Sequence, residues 1–527
     1  MRSWKFRAHP IPLNQSTAPV NTDDLEFQVL PNPCPFDGSA YRQITTGSAS
    51  ELLSKKRSLI KRLFPATLLI ASQVLFSSPS TWAASAGNSL EQERPLRPGQ
   101  PRWLENYRFL DDPVKRTDPF DSLRFQRLTE SSWLQLGGEV RYRVDSIDKP
   151  VFGLRGVNDD SAWMQRLQAH ADLHLFDDAV RAFVQVENSR AWGKDLLTPN
   201  DESKSDVHQA FLDFNRDVDS ARFTARIGRQ EMGYGALAFV TYRDTPNIRL
   251  AFDGARLTYA GGNGYRVDAF AVRPVSPSRD SFDDGSNNNV KFYGLYATVP
   301  LGNLGSADLY GFGLEIKERA LAGVNGAEKR YTAGTRLFGK NGRYDWSWDL
   351  AGQFGHLAGA QIRAWAFVTD TGYSFDGSWR PRVGFRADGA SGDRRRGDAR
   401  IGTFDPLFPR NGVYGEAGLV TLSNALIAGP TVAFWPFSRV RLEPGVFQIW
   451  RQTTDDVVYL PGLKSVPGTA SSSGRHVGTV YRANARWLAN SNLTVDVDYS
   501  YYDVGRAISE AGGVDSSFLM TRATFRF

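Results

Sequence analysis

Arginine and the carboxylates carry most of the chemistry available in this sequence, and they recur at alternate positions rather than in compact motifs. Arg141 and Arg143, Arg222 and Arg226, Arg382 and Arg386, Arg482 and Arg486, and Arg522 and Arg526 stand two or four residues apart. On a β-strand that spacing puts both side chains of each pair on one face. A guanidinium pairs with carboxylates through a planar fork and stays charged at any relevant pH, so a wall of them is an anion-binding surface. Strand phase places Arg141, Arg143, Arg166, Arg226, Arg256, Arg336, Arg363, Arg382, Arg482, Arg486 and Arg522 on a common inner face, and these are the candidate binding residues. Arg181, Arg222, Arg266, Arg386 and Arg526 share the phase, and so do Glu139, Asp172, Glu187, Asp268, Asp345, Asp349, Asp388, Asp496 and Asp498. Each arginine therefore has two expected roles: contact with an anionic solute, or a cross-strand ion pair that braces the wall.

Catalytic and metal chemistry find little support. His170 and His174 share a face, but four residues of strand separate them by about 13 Å, too far for one metal ion. His208, His356 and His476 are isolated in sequence. Gly261-Gly-Asn-Gly264 reads as a hairpin turn rather than a phosphate cradle. A hydrolase built on a barrel would need Ser and His paired near the outer rim, and strand phase builds no such pair. No enzyme activity, metal or cofactor is expected.

The elements that hold these side chains follow from the alternation. From residue 133 onward, apolar and polar residues alternate in segments of about ten residues separated by turn chemistry. Leu134, Leu136, Val140, Tyr142 and Val144 interleave with Gln135, Glu139, Arg141 and Arg143, and Leu493 to Tyr501 repeats the pattern near the end. The last strand presents Leu519, Thr521, Ala523, Phe525 and Phe527 on one face and Met520, Arg522, Thr524 and Arg526 on the other. An apolar outer face over a polar inner face is what a transmembrane barrel needs. Low mean hydropathy fits this, because the two faces cancel in the average.

Short connections at Phe176–Ala179, Asp217–Ser220, Gly261–Gly264, Pro300–Ser306, Gly339–Arg343, Thr371–Gly377, Pro436–Arg439 and Ala489–Ser491 take turns with longer ones. The longer set is 147–162, 190–205, 231–250, 274–289, 317–327, 390–426, 453–476 and 504–516, with the short Gly355–Gly359 as its exception. Short periplasmic turns and long extracellular loops are the outer-membrane pattern. The expected fold is all-β: a transmembrane, antiparallel, up-and-down β-barrel of about eighteen strands over 133–527, with 412–424 inside a loop and an open lumen. Arg394, Arg395 and Arg396 in loop 390–426 read as a solvated or lipopolysaccharide-facing patch, or as an outer vestibule.

Upstream, Lys55, Lys56, Arg57, Lys61 and Arg62 precede the apolar run Leu63 to Phe76 and the small residues of 80–86. This reads as a signal peptide over 55–86, since the run is too short to span a membrane. Residues 1–54 form an extension in front of it. We expect that Met1 is not the true start and that translation begins near Leu52 or Leu53, against the alternative of a genuine extension. Residues 87–132 read as a periplasmic N-terminal segment. Cys34, the one cysteine, precedes the signal, so the processed chain contains no disulfide framework. Residues 1–86 hold nine of the 63 Lys and Arg and five of the 57 Asp and Glu, so processing lowers the formal charge from +6 to +2. That balance gives no argument for nucleic acid.

Local motifs narrow the class. Arg108-Phe-Leu-Asp-Asp-Pro113, Arg116-Thr-Asp-Pro-Phe-Asp121, His208-Gln-Ala-Phe-Leu-Asp213, Gly228-Arg-Gln-Glu-Met-Gly-Tyr-Gly235, Pro246-Asn-Ile-Arg249, Phe252-Asp-Gly-Ala-Arg256, Ala390-Ser-Gly-Asp393 and Thr403-Phe-Asp-Pro-Leu-Phe-Pro409 follow in order. Together they resemble the alginate-export family of bacterial outer-membrane proteins, from about Tyr107 to Phe527. The resemblance implies an eighteen-stranded barrel in the outer membrane whose cationic lumen passes an anionic exopolysaccharide, alginate or a similar polyuronate. The alternative is a porin for uptake of small anionic solutes such as sugar acids. The expected partners are acidic polysaccharide or small anions, outer-membrane lipid and lipopolysaccharide, and periplasmic export-complex proteins. The family's alginate secretin has a long periplasmic loop near its last strands, whereas Ala489-Asn-Ser-Asn492 here is a short turn.

Overall fold

A computed structural model describes residues 99–395 and 397–527. The extension 1–54, the signal peptide 55–86 and residues 87–98 of the N-terminal segment lie outside the described residues. Eighteen long strands form one closed sheet, numbered here in chain order. They are β1 Ser132–Asp148, β2 Asp159–Leu175, β3 Val180–Trp192, β4 Ser203–Val218, β5 Ala221–Gln230, β6 Phe252–Gly261, β7 Arg266–Ser276, β8 Val290–Pro300 and β9 Ser306–Leu321. Then come β10 Val324–Asn341, β11 Tyr344–Leu357, β12 Ala360–Ser374, β13 Arg382–Ala390, β14 Ala425–Phe437, β15 Val440–Arg451, β16 His476–Leu488, β17 Leu493–Val504 and β18 Ser516–Arg526. Each pairs antiparallel with the next, and β18 pairs with β1 from Glu139↔Arg526 to Asp148↔Ser517. Closure removes the unpaired edge that a membrane would not tolerate.

The outer face carries the apolar set. Leu257 and Leu295 are each 60% exposed and Leu350 58%, which would be an aggregation surface in water and is a lipid-facing band in a bilayer. Phe176, Tyr265, Tyr344, Trp379 and Phe437 stand exposed at the periplasmic turns, and Trp163 and Trp192 near the opposite rim. These are the positions of interfacial aromatic girdles. No helix among the described residues is long and apolar enough to cross a membrane.

The seam is tight. The backbone of Phe527 exchanges two hydrogen bonds with Gly138, at 2.9 and 3.1 Å. A Cβ on Gly138 would come within 2.6 Å of the Phe527 ring, and one on Gly137 within 2.6 Å of its carbonyl oxygen. The Gly137-Gly138 pair is what lets the terminal residue lie against β1.

The connections differ from expectation in two places. Strands β9 and β10 continue through the expected loop 317–327 and meet at a two-residue turn, 322–323. Arg319 explains part of this: it pairs with Glu328 at 3.0 Å and Asp405 at 2.8 Å, which holds the charged stretch in register. At the next extracellular end, 358–359 is equally short, in line with the expected exception at Gly355–Gly359. On the periplasmic side β12 runs to Ser374, so that connection is 375–381. Residues 412–424 lie in the loop 391–424, as the strand parity requires.

The lumen is not open across its full width. Loops 231–251 and 391–424 fold inward and meet, with Val240 bridging Phe408 and the Phe408 amide donating to the Phe239 carbonyl at 2.9 Å. Their Met232, Phe239, Phe404 and Leu407 pack on Phe252, Phe270, Phe292 and Phe312 from the inner faces of β6 to β9. The inner wall on that side is therefore an apolar core.

Candidate functional site

Loop 231–251 is clamped to the wall by its own amides and carbonyls. The Asn247 side-chain amide donates to the carbonyls of Gln165, Arg190 and Asp201 at 3.0 to 3.1 Å. Arg141 donates to the carbonyls of Asp244 and Pro246, both at 3.0 Å, and Arg143 to the Thr245 carbonyl. This geometry carries Asp244 into the lumen. Arg166, Arg249, Arg141 and Arg522 reach its carboxylate at 3.0, 3.3, 3.6 and 3.7 Å. Burial alone would raise the Asp244 carboxyl; Arg166, Arg249, Arg141 and Arg522 outweigh it and hold the group well below the usual carboxylate range. The side chains of Arg141 and Arg166 are 1% exposed, whereas that of Asp244 is 24% exposed. The collar thus turns one carboxylate, shared by four guanidiniums, into a small cavity that Gly99, Arg102 and Thr524 also line.

The second loop completes the ring. The Glu416 amide donates to Asp498, and Arg482 donates to the Val413 carbonyl at 2.9 Å. Burial opposes ionisation of Glu416, but Arg522, Arg143 and Arg482 prevail and lower its carboxyl.

Ten of the eleven arginines expected on the inner face are there, and each has a carboxylate. Arg143 pairs with Asp145 at 2.7 Å, Arg166 with Glu139 at 2.6 Å, Arg226 with Asp213 at 2.7 Å and Arg256 with Asp268 at 2.9 Å. Arg336 pairs with Asp308 at 2.9 Å, Arg382 with Asp345 and Asp370 at 2.5 and 2.6 Å, and Arg482 with Asp498 at 3.1 Å. Arg486 and Arg522 share Asp496 at 2.6 and 3.1 Å. Arg141 differs: Asp244 at 3.6 Å is its carboxylate contact, and its other bonds go to neutral oxygens. The collar gathers Arg141, Arg143, Arg166, Arg482 and Arg522. Arg226 and Arg256 lie toward the periplasm, and Arg336 and Arg382 on other sectors of the wall.

Arg363 is a correction. It is exposed and shares a face with Trp365, while Ile362 and Ala364 on the opposite phase are buried against the interior clusters. Its cross-strand partner Phe354 is 53% exposed on the outer surface. Both faces of β12 are apolar where the inner wall is core, so alternation alone could not orient it.

Sequence reasoning missed Asp244, Arg249, Arg319 and Arg330. Arg330 is fully buried, bound to Glu328, to Gln353 at 2.7 Å and to the Thr403 carbonyl at 3.2 Å, and it anchors loop 391–424. Its parity with Arg336 was the available signal. Asp244 lies in a loop and had none. The strand-end pair Arg229–Asp253, 2.8 Å apart, ties the Asp284 carbonyl and Ser286 to the wall and so fixes a loop rather than facing a solute.

The N-terminal segment contributes to the passage. Arg249 donates to the Gly99 carbonyl at 3.0 Å and Arg181 to the Trp103 carbonyl at 2.6 Å. The Arg226 guanidinium stacks 3.9 Å from the Trp103 ring, and Arg102 donates to the Phe527 carbonyl at 2.9 Å. Residues 99–105 therefore lie inside the periplasmic mouth, against lumen arginines.

A closed eighteen-strand barrel with a lipid-facing band and a lumen lined by arginines and carboxylates defines an outer-membrane channel. Residues 132–522 match the family model described as alginate export, and the chain belongs to that family. Among solved structures it is similar to OccD3 (OpdP) of Pseudomonas aeruginosa, with 12% identity, a TM-score of 0.51, and coverage of 77% of this chain and 93% of that one. OccAB1 of Acinetobacter baumannii is similar at 11% identity and TM-score 0.50, covering 77% and 99%. At such identities the likeness is one of fold. Comparison with curated proteins returns no match.

Proposed function

We propose that the channel passes a carboxylate-bearing glycan outward, alginate or a similar polyuronate. The observation that carries this reading is the collar, where Arg141, Arg166, Arg249 and Arg522 share the carboxylate of Asp244. A polyuronate bears one carboxylate per sugar, and transit needs binding strong enough to enter and weak enough to leave. Paired lumen arginines that are still partly exposed, such as Arg382 and Arg486, meet both demands, because the solute's carboxylate exchanges for the protein's, while the buried collar acts through its field. Membership of the alginate-export family supports the outward direction.

Uptake of small anions such as sugar acids is the second reading. The two inward loops and residues 99–105 favour it, since they narrow the path available to a polymer. Refolded protein in a planar bilayer separates the two. Block by polyuronate oligomers that lengthens with chain length, with none by neutral dextrin, is the result expected for polymer passage. Equal block by a single sugar acid and by its oligomers would contradict it.

A further inference from the structure

Arg363 leads to a site outside the barrel. Near the extracellular ends of β10, β11 and β12, three cross-strand rows stack on the outer face. Ala333, Gly352 and Trp365 form the row nearest the periplasm, and Tyr331, Phe354 and Arg363 the next. Above them stand Lys329, His356 and Gln361, with Arg400 beside Gln361. Read outward, the face is small, then aromatic, then cationic. Ala333, Gly352, Phe354, Arg363, Trp365 and Arg400 line a single open furrow of about 300 Å³. A Cβ on Gly352 would meet nothing within 4 Å, so the furrow's floor is open.

The charges here are unlike those of the lumen. Among the described residues, no carboxylate pairs with the side chains of Lys329, Arg363 or Arg400, all of which are exposed. Two guanidiniums lining one furrow repel unless an anion lies between them. An arginine on a lipid-facing surface costs about 2–4 kcal/mol at the midplane and about 0–1 near the interface, so this row fits the headgroup level.

We propose that this furrow binds a phosphorylated glycolipid of the outer leaflet. One acyl chain lies over Ala333 and Gly352 between Phe354 and Trp365, and the phosphates bridge Arg363 and Arg400, with Lys329 two strands from Arg363 on the same face. Guanidinium and phosphate match in bidentate geometry. Free phosphate would satisfy the cations but leave the apolar furrow unused, which is why a lipid is the occupant assigned.

Native mass spectrometry of the mature barrel with bis-phosphorylated lipid A tests the site. The expected result is retained lipid A, with no retention of dephosphorylated lipid A or phosphatidylcholine. The double variant Arg363→Gln, Arg400→Gln should retain several-fold less. Gly352→Leu, which fills the furrow and keeps both arginines, should lose retention as well. Heat-modifiable gel mobility checks that each variant is a closed barrel. Undiminished retention by the double variant or by Gly352→Leu overturns the proposal. So does displacement of lipid A by equimolar inorganic phosphate, since the cations would then be reading a free anion.

Discussion

At the scale of single residues, Asp244 and the arginines around it have opposite leverage. Arg166 is buried between Glu139 and Asp244. Arg166→Gln leaves Glu139 to Arg526 alone, so the loss stays below the ~3–5 kcal/mol of a buried charge left with no partner. The expected outcome is a lowered unfolding midpoint together with weaker anion selectivity. Asp244→Asn removes negative charge while the guanidiniums remain, so anion selectivity should rise; a fall would mean that Asp244 does not face the ion path. Asp284, in the loop 277–289, offers a pH test. Burial pushes its carboxyl up to about 6 from the ordinary 3.8; Asp206 adds to the rise and the Ser278 amide opposes it. Between those values the folded state binds more protons than the unfolded state, so loop stability falls as pH rises from about 4 to about 6. Protection of the amides of loop 277–289 against hydrogen exchange, corrected for the base-catalysed intrinsic rate, should fall across that window, although the Ser278 bond to Asp284, 2.6 Å long, itself favours the ionised carboxylate. Asp284→Asn should abolish the dependence.

Among elements, strands and connections differ in how much their sequence reveals. Alternation over ten or more residues with one face in lipid fixes both strand and register, because a one-residue slip would exchange the faces. Eighteen strands, their closure and ten inner arginines follow from that. What alternation cannot supply is the path of an inserted loop, since Asn247, Asp244 and Glu416 reach the lumen through side-chain-to-backbone bonds with distant strands. Nor can it orient β12, whose inner face became apolar to receive those loops. The segment 99–105 is a third case. Its hold rests on Arg181, Arg226 and Arg249, residues far away in sequence. Trp103→Ala removes the stacked ring from the mouth, and single-channel conductance should increase several-fold or open more often. Unchanged conductance would mean that the segment lies outside the ion path.

For the whole molecule, the closed sheet turns alternation into compartment: lipid outside, charge inside, and loops that set the width. Ion pairs brace a wall that surrounds water, yet four guanidiniums converge on one carboxylate where the loops meet. On the function proposed above, such a cluster within walls of low dielectric focuses its field along the passage and would set the sign of the ions admitted. The central claim is therefore a claim about sign, and the reversal potential of refolded protein under a potassium chloride gradient tests it most directly. The account predicts a potential displaced toward the chloride equilibrium value, reduced in Arg141→Gln and increased in Asp244→Asn. A potential displaced toward potassium in the unmodified channel would contradict it.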